Sequence, residues 1–96
     1  MQTIHIEHAI GDFDVWKAAF DRDPVGRSAI GIRHHRIYRP PDDPKYVIIE
    51  LDVETPEAVD AILSAAGELW DAASESPALT SKPTVKVLEL VEHAAN

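Results

Sequence analysis

The stretch IRHHRIYRPPDDPKYVIIELDV, residues 32–53, contains two alternating segments joined by a rigid turn. Polar and apolar residues alternate from Ile32 to Arg39 and again from Tyr46 to Val53, which is the period-2 pattern of half-buried strands. The intervening residues 40–44 comprise three prolines and two aspartates, so the turn has little conformational freedom to lose. The stretch therefore predicts a β-hairpin.

A strand and a helix precede this hairpin. In residues 3–10, isoleucines share one face of the predicted strand while His5 and Glu7 lie on the other. Asp12 follows as a suitable N-cap for a helix. The helix itself is predicted by an apolar stripe at i, i+3 and i+7: Phe13, Trp16 and Phe20.

A second helix and a fourth strand follow the hairpin. Thr55, Pro56 and Glu57 combine a hydroxyl N-cap, a proline at the first helical position and an acid in the first turn. The buried stripe of this helix is predicted to be Val59, Ile62, Leu63, Ala66, Trp70 and Ala73. Residues 84–92 read as the last strand, and its apolar side chains on both faces favour a position at a subunit interface.

The order strand, helix, strand, strand, helix, strand predicts an α+β, ferredoxin-like (βαββαβ) fold in one domain, residues 1–96. In this fold a four-stranded antiparallel sheet carries both helices on one face. A sheet that is covered on one side only must cover or use its other side. We therefore expect a homodimer assembled around a cleft, a dimeric α/β barrel.

Composition excludes several classes of function. The net charge of −8 argues against a nucleic-acid partner. The absence of cysteine excludes disulfides, thiolate zinc sites and thiol nucleophiles. The longest apolar run, Val47 to Ile49, is far too short to span a membrane, and no signal peptide is visible, so we expect a cytoplasmic protein.

Basic residues cluster despite the acidic total. Four arginines, Arg27, Arg33, Arg36 and Arg39, fall within thirteen positions together with His34 and His35. Two interpretations remain open. The cluster is either a solvated strand surface or a local patch that attracts a carboxylate or enolate ligand.

The hairpin register decides which side chains share a face. With residues 40–44 as the turn, Tyr38 is expected opposite Tyr46, Arg36 opposite Ile48, and His34 opposite Glu50. The apolar side of residues 47–53 must pack on the helices. The residues expected on the open face are therefore His34, Arg36, Tyr38, Tyr46 and Glu50.

These residues suggest roles in a small-molecule site. His34 beside Glu50 could act as a general base, because a carboxylate orients an imidazole and raises its basicity. His5 is the alternative base or a ligand-binding residue. Arg36 could hold an anion, and Tyr38 and Tyr46 could form the walls. The structural alternative is a cross-strand His–Glu pair that only stabilises the sheet.

A metal site is not expected. His5 and His8 are three residues apart on a strand and therefore face opposite ways, and no third ligand accompanies His5 and Glu7. His8 is expected to be a partly buried, hydrogen-bonded histidine, and Trp16 to belong to the core. We find no phosphate loop or nucleophile elbow and expect no cofactor.

Three segments carry a family resemblance: HAIGDFDVWKAAFD (residues 8–21), DPVGR (residues 23–27) and RIYRPPDDPKYVIIE (residues 36–50). Each resembles small bacterial proteins of the dimeric α/β barrel superfamily, in a branch described as cyclase-like or antibiotic-biosynthesis-monooxygenase-like. The resemblance implies a homodimer in which two four-stranded sheets form one barrel.

The activities that the resemblance implies are diverse. They include cofactor-independent oxygenation of phenolic polyketides, isomerisation, aromatic cyclisation and haem degradation. The haem-degrading branch has a histidine shortly after a tryptophan on the second helix, and here no histidine lies between Trp70 and His93. The hypotheses are a cofactor-independent isomerase, cyclase or monooxygenase acting on a small anionic or aromatic compound, a non-catalytic ligand-binding module, and a stress-related dimer.

Overall fold

The computed structural model describes residues 2–23, 26–72 and 83–96, without the side chains of residues 69–72. This part of the chain forms β1 (Gln2–Ala9), α1 (Phe13–Asp21), β2 (Ile32–Tyr38), β3 (Tyr46–Val53), α2 (Pro56–Ala72) and β4 (Thr84–Glu89). The strands make one antiparallel sheet in the order β2-β3-β1-β4. The predicted α+β ferredoxin-like fold is confirmed.

The core lies between the helices and one face of β1 and β3, the two central strands. Alternate residues of β1 (Ile4, Ile6) and of β3 (Val47, Ile49, Leu51, Val53) are buried on this face. Trp16 of α1 and Val59 and Ile62 of α2 complete the same apolar cluster. The predicted apolar sides of both strands are confirmed, as is the core position of Trp16. The side chain of Trp70 and residue Ala73 lie outside the described part of the chain.

Both helices begin where the sequence predicts. Asp12 has extended backbone dihedrals, and its carboxylate accepts a hydrogen bond from the amide of Val15 at 2.9 Å, which satisfies one of the free donors of the first turn. The second helix begins at Pro56, whose missing amide donor costs nothing at this position.

The hairpin register differs from the predicted one by two residues. Tyr38 lies opposite Ile48, Arg36 opposite Glu50, and His34 opposite Asp52. The loop is longer than five residues: the last paired residues of the hairpin are Tyr38 and Ile48, and Tyr46 and Val47 have a partner in β1 but none in β2. The expected pairing of His34 with Glu50 is therefore wrong.

The predicted faces nevertheless hold for the residues from His34 to Tyr38. Because side chains alternate with a period of two, a shift by two residues keeps every side chain on its expected face. A β-bulge near the start of β2 places Ile32 opposite Val53 and leaves Arg33 unpaired in the ladder. The bulge lets Ile32 enter the core while His34 remains on the open face.

The last strand is shorter than expected and ends at Glu89. Glu89 is paired with Gln2, the first residue of β1, so the ladder has no further described β1 residue to offer Leu90. Leu88, Leu90 and Val91 are 39%, 71% and 92% exposed.

Among the described residues, no helix is both long enough and apolar enough to cross a membrane.

Two glycines offer a matched test of backbone conformation. Gly31 has a φ of +98° and an added Cβ would lie 3.4 Å from Ala58, whereas Gly67 lies within α2 and an added Cβ would meet nothing within 4 Å. We expect Gly67→Ala to stabilise the fold by about 0.5–1 kcal/mol. Gly31→Ala should destabilise it by more than about 1 kcal/mol, since L residues rarely adopt this backbone conformation. Urea unfolding of both variants checks this, and equal effects would contradict it.

Candidate functional site

The sheet face opposite the helices, here called the open face, carries a continuous chain of side-chain hydrogen bonds. The chain runs through β1, β2 and β3 in the order Thr3, Asp52, Arg36, Glu50, His5, Glu7 and Tyr46. We call these seven residues the polar network. Among the described residues that are not exposed, no buried side-chain polar atom lacks a hydrogen-bond partner. The network is thus internally satisfied, which is what a partly buried polar cluster requires.

At one end of the polar network, Arg36 is held by two carboxylates. Its Nη1 and Nη2 atoms donate to the two oxygens of Asp52, both at 2.8 Å, and its Nε donates to Glu50 at 3.2 Å. Thr3 donates a further hydrogen bond to Asp52 at 2.8 Å. The Arg36 guanidinium holds the pKa of Asp52 down at about 2, and Asp52 in turn raises the pKa of Arg36. Both groups stay charged in this bidentate pair.

His5 lies at the centre of the network between two carboxylates. Its Nε2 is 2.8 Å from Glu7 and its Nδ1 is 3.3 Å from Glu50. An ionised carboxylate only accepts hydrogen bonds, so both contacts are satisfied together when His5 is an imidazolium. The hydrogen bond with Glu7 accordingly raises the pKa of His5, and the bond with Glu50 adds to this rise against the opposing effect of burial.

At the other end, Tyr46 donates its phenol proton to Glu7 at 2.6 Å. This bond lowers the pKa of Glu7, with His5 contributing further, and raises the pKa of Tyr46. Glu7 therefore stays ionised and Tyr46 stays neutral. Tyr46, Glu7, His5 and Glu50 are thus linked in sequence by hydrogen bonds.

A groove of about 530 Å³ lies beside the Arg36 end of the polar network. Thr3, Arg36 and Glu50 line it from the sheet, and residues 88–92 line it from β4 and the segment that follows. The lining residues of this segment are apolar (Leu88, Leu90, Val91) and acidic (Glu89, Glu92). Apolar walls with a few polar groups are typical of small-molecule sites.

The structure brings together four of the six residues singled out in the sequence: His5, Arg36, Tyr46 and Glu50. His34 is on the open face but lies opposite Asp52, and Tyr38 is 48% exposed. Neither forms a side-chain hydrogen bond within the described residues.

Three members of the network were not assigned a role from the sequence: Thr3, Glu7 and Asp52. All three lie on the same face of the sheet as residues that were chosen. Thr3 and Glu7 are each two residues from His5, and Asp52 is two residues from Glu50. Strand parity alone could have added them as candidates. Their hydrogen-bond partners depend on the register and could not be identified in this way.

The basic cluster does not form one patch. Each arginine has its own partner within the described residues: Arg33 pairs with Glu54, Arg36 with Asp52, and Arg27 and Arg39 stack on Phe20 and Phe13. Two of these contacts are cation–π interactions that cover the aromatic stripe of α1. Because each arginine contacts a different partner, the contacts favour the first interpretation, a strand surface, over a shared anion-attracting patch.

His8 lies on the helix side of the sheet, away from the polar network. It is 3% exposed, its Nδ1 lies 3.1 Å from the carbonyl oxygen of Ala9, and burial lowers its pKa. This agrees with the expected buried, hydrogen-bonded histidine. Within residues 2–23, 26–72 and 83–96, no three His, Asp or Glu side chains are arranged to hold a metal ion.

Comparison by sequence found no match: no family model and no curated protein is similar to this chain at a significant level. Comparison of structures did find relatives. The chain is similar to a monooxygenase from the gene ActVA-Orf6 of Streptomyces coelicolor, solved with the ligand nanaomycin D, with a TM-score of 0.70 and 14% identity over 99% of this chain and 91% of that one.

Two further structures illustrate the range of relatives. One is a variant of SnoaB, a cofactor-independent oxygenase from Streptomyces nogalater, with a TM-score of 0.67 and 14% identity over 99% of this chain and 96% of that one. The other is a dimeric ferredoxin-like protein from an uncultured marine organism, with a TM-score of 0.65 and 15% identity over 97% of this chain and 96% of that one. These structural neighbours match the superfamily resemblance noted in the sequence, and at such identities they establish the fold.

The charge state of His5 can be tested directly. Its folded pKa is raised above the ordinary 6.5, so its stabilising ion pair is complete below that pH and is lost as the pH rises through the folded pKa. In Glu7→Gln, the His5 pKa should fall toward the ordinary value. Imidazole NMR titration measures this, and urea unfolding at about pH 6 and about pH 9 measures the stability that it carries.

Glu54→Gln provides the control for that titration, since it removes a carboxylate whose partner Arg33 is remote from His5 along the sheet. It should leave the His5 titration unchanged. A wild-type His5 pKa at or below 6.5 would contradict the imidazolium assignment.

Proposed function

We propose that this chain forms a homodimer and acts on a small aromatic compound in a monooxygenase-like, cofactor-independent reaction. The observation that carries the proposal is the polar network on the open face, beside a groove with apolar walls. Support comes from two structural relatives, one described as a monooxygenase and one as a cofactor-independent oxygenase. Their likeness to this chain concerns the fold, so the activity rests on the site.

The proposed dimer covers the open face with a second copy. The helices cover one side of the sheet only, and Leu88, Leu90 and Val91 are exposed beside the other. Removing apolar area of this kind from water is favourable by about 25 cal/mol per Å², before the entropic costs of association are subtracted. Two of the structural relatives are described as dimeric ferredoxin-like proteins, which supports the same arrangement here.

We assign proton transfer to His5 with Glu50 as its carboxylate partner. Their 3.3 Å contact fits a pair that exchanges a proton with a substrate hydroxyl or carbon acid. His34, the other candidate base, lies opposite Asp52 rather than Glu50. We therefore propose that His34 does not carry the proton. As an imidazolium, His5 acts as a proton donor, and base action requires a pH above its raised pKa.

Arg36, Tyr38 and Tyr46 have proposed binding roles. Tyr46 is kept as a neutral phenol by Glu7 and can donate to or stack on an aromatic ring. Tyr38 is half-exposed on the same face and supplies a further wall. Arg36 orients the acids at the groove, since its donors face Asp52 and Glu50.

The proposed reaction uses only the substrate and dioxygen. A ring methylene of an electron-rich aromatic becomes a carbonyl: its two C–H bonds break, one oxygen atom of dioxygen becomes the carbonyl oxygen, and the other takes up the two hydrogens and leaves as water. The substrate supplies all the electrons. The protein contributes orientation, proton transfer through His5, and exclusion of bulk water by the second copy.

A non-catalytic binding module is the second candidate. One observation favours it: each charged member of the polar network already has a partner in the network, so the cluster can stabilise the sheet by itself. Such a protein would bind a ligand in the groove and leave it unchanged.

Sedimentation velocity tests the dimer. The wild-type chain should sediment at twice its 10.6 kDa mass at micromolar concentration, because an isolated sheet face would stay open. Leu90→Glu should shift the population toward monomer. Val15→Glu, at a 48% exposed position on α1, is the control and should remain dimeric. A monomeric wild-type protein would contradict the proposal.

Oxygen uptake with anthrone and polyhydroxynaphthalene probes tests the catalytic role. His5→Gln should lower the rate by about 100-fold or more, the usual contribution of general acid–base catalysis. The matched variant His34→Gln should stay within about threefold of wild type, with circular dichroism confirming that both fold. Equal losses would contradict the assignment to His5, and binding without any turnover would favour the non-catalytic module.

A further inference from the structure

The two edges of the sheet carry opposite charges. In the strand order β2-β3-β1-β4, β2 and β4 each have a neighbouring strand on one side only among the described residues. Residues 32–39, which include β2, contain three arginines, two histidines and no acid, whereas residues 88–92, at the end of β4, contain two glutamates and no base. Because the free N–H and C=O groups of an edge strand can pair with a further strand, the two edges complement each other.

The opposite charges match on both sides of the sheet. Glu89 lies on the helix side by its register with β1, as do His35 and Arg39, which contact aromatic rings of α1. An extended backbone brings Glu92 to the open-face side, which is the side of His34. Each side of the acidic edge therefore has a basic counterpart on the β2 edge.

The end of β4 has little cover from its own chain. Glu89 pairs with Gln2, the first described residue of β1, and the chain continues beyond this ladder. Leu90 and Val91 are neighbours, so an extended backbone points them to opposite sides, and they are 71% and 92% exposed. Apolar side chains on both sides favour a position inside a larger sheet.

Two symmetric arrangements can place one open face over another. A two-fold axis parallel to the strands brings β4 of each copy beside β2 of the other, and a two-fold axis across the strands brings β2 beside β2. The first makes an antiparallel seam, because β2 and β4 run in opposite directions within one sheet. The second sets arginines against arginines, and like charges across a strand pair are destabilising. The charges therefore favour the first arrangement.

We propose that residues 88–92 pair antiparallel with β2 of a second copy, and that two such seams close the dimer. This inference rests on the proposed function, since it names the surfaces through which the proposed homodimer forms. His34 and Tyr38 lie outside the polar network of their own chain. In the dimer they border the groove of the second copy, next to its residues 88–92. The groove is complete only when both copies are present.

Chemical cross-linking tests the pairing, and the chain suits this test because it contains no cysteine. A His34→Cys chain is refolded from urea together with a Leu88→Cys, a Leu90→Cys or a Glu92→Cys chain, the three positions of the segment on the open-face side. A short bismaleimide should give covalent dimers in at least one of these mixtures. Each single variant alone should stay uncross-linked, because the two copies of one position lie at different seams.

A pair of double variants tests the charge match by sedimentation equilibrium. Glu89→Gln with Glu92→Gln should weaken dimerisation by about threefold or more at low salt, as expected for the loss of exposed ion pairs. The control, Asp21→Asn with Asp60→Asn, changes the net charge equally at exposed positions of α1 and α2. It should not weaken the dimer.

The outcomes separate the pairing from the proposed function. Cross-linking of His34→Cys to itself, with none in the mixtures, would overturn the pairing in favour of the seam between two β2 strands. A dimer without cross-links in any mixture would also overturn it and leave the proposed homodimer in place. Equal dimerisation of the two double variants would overturn the charge match. A monomeric wild-type protein would remove the proposed homodimer and this inference together.

Discussion

The antiparallel pairing of β1 with β3 is the interaction on which the rest of the structure depends. These strands occupy the middle of the sheet, and their register places Ile4 opposite Leu51 and His5 opposite Glu50. Because side chains alternate, the same register builds a fully apolar face for the helices and a polar face opposite. A slip by one residue would carry charges into the core.

The polar face is organised by charge compensation across strands. Arg36 from β2 and His5 from β1 each lie between carboxylates, mostly of β3, and each carboxylate of the network accepts from at least two donors. Such a network is satisfied as a whole, and removing one member leaves others without partners. It can serve structure and chemistry together, because proton transfer needs the same short, oriented contacts that stabilise the sheet.

The groove and the network differ in character although they share residues. The network is balanced internally, whereas the groove is also lined by apolar and acidic residues of the segment 88–92. The relatives found by structure share the sheet and helices at 14–15% identity. A fold of this kind hosts many reactions, so the function of this chain depends on the side chains that it places on the open face.

The sequence by itself determined the element order, the helix start at Asp12 and the apolar faces of β1 and β3. These follow from local patterns with periods of two and of about 3.6 residues, which need no knowledge of neighbours. The open-face position of His5, Arg36 and Glu50 followed from the same parity.

Only the tertiary structure decided which side chains of the open face contact one another. The hairpin loop is longer than its proline-rich core, since β2 and β3 first pair at Tyr38 and Ile48, so Glu50 meets Arg36 and His5 instead of His34. The contact between His5 and Glu50 joins residues 45 positions apart and leaves no local trace in the chain. The partners of Arg36 depend on the hairpin register, which the length of the proline-rich segment did not determine.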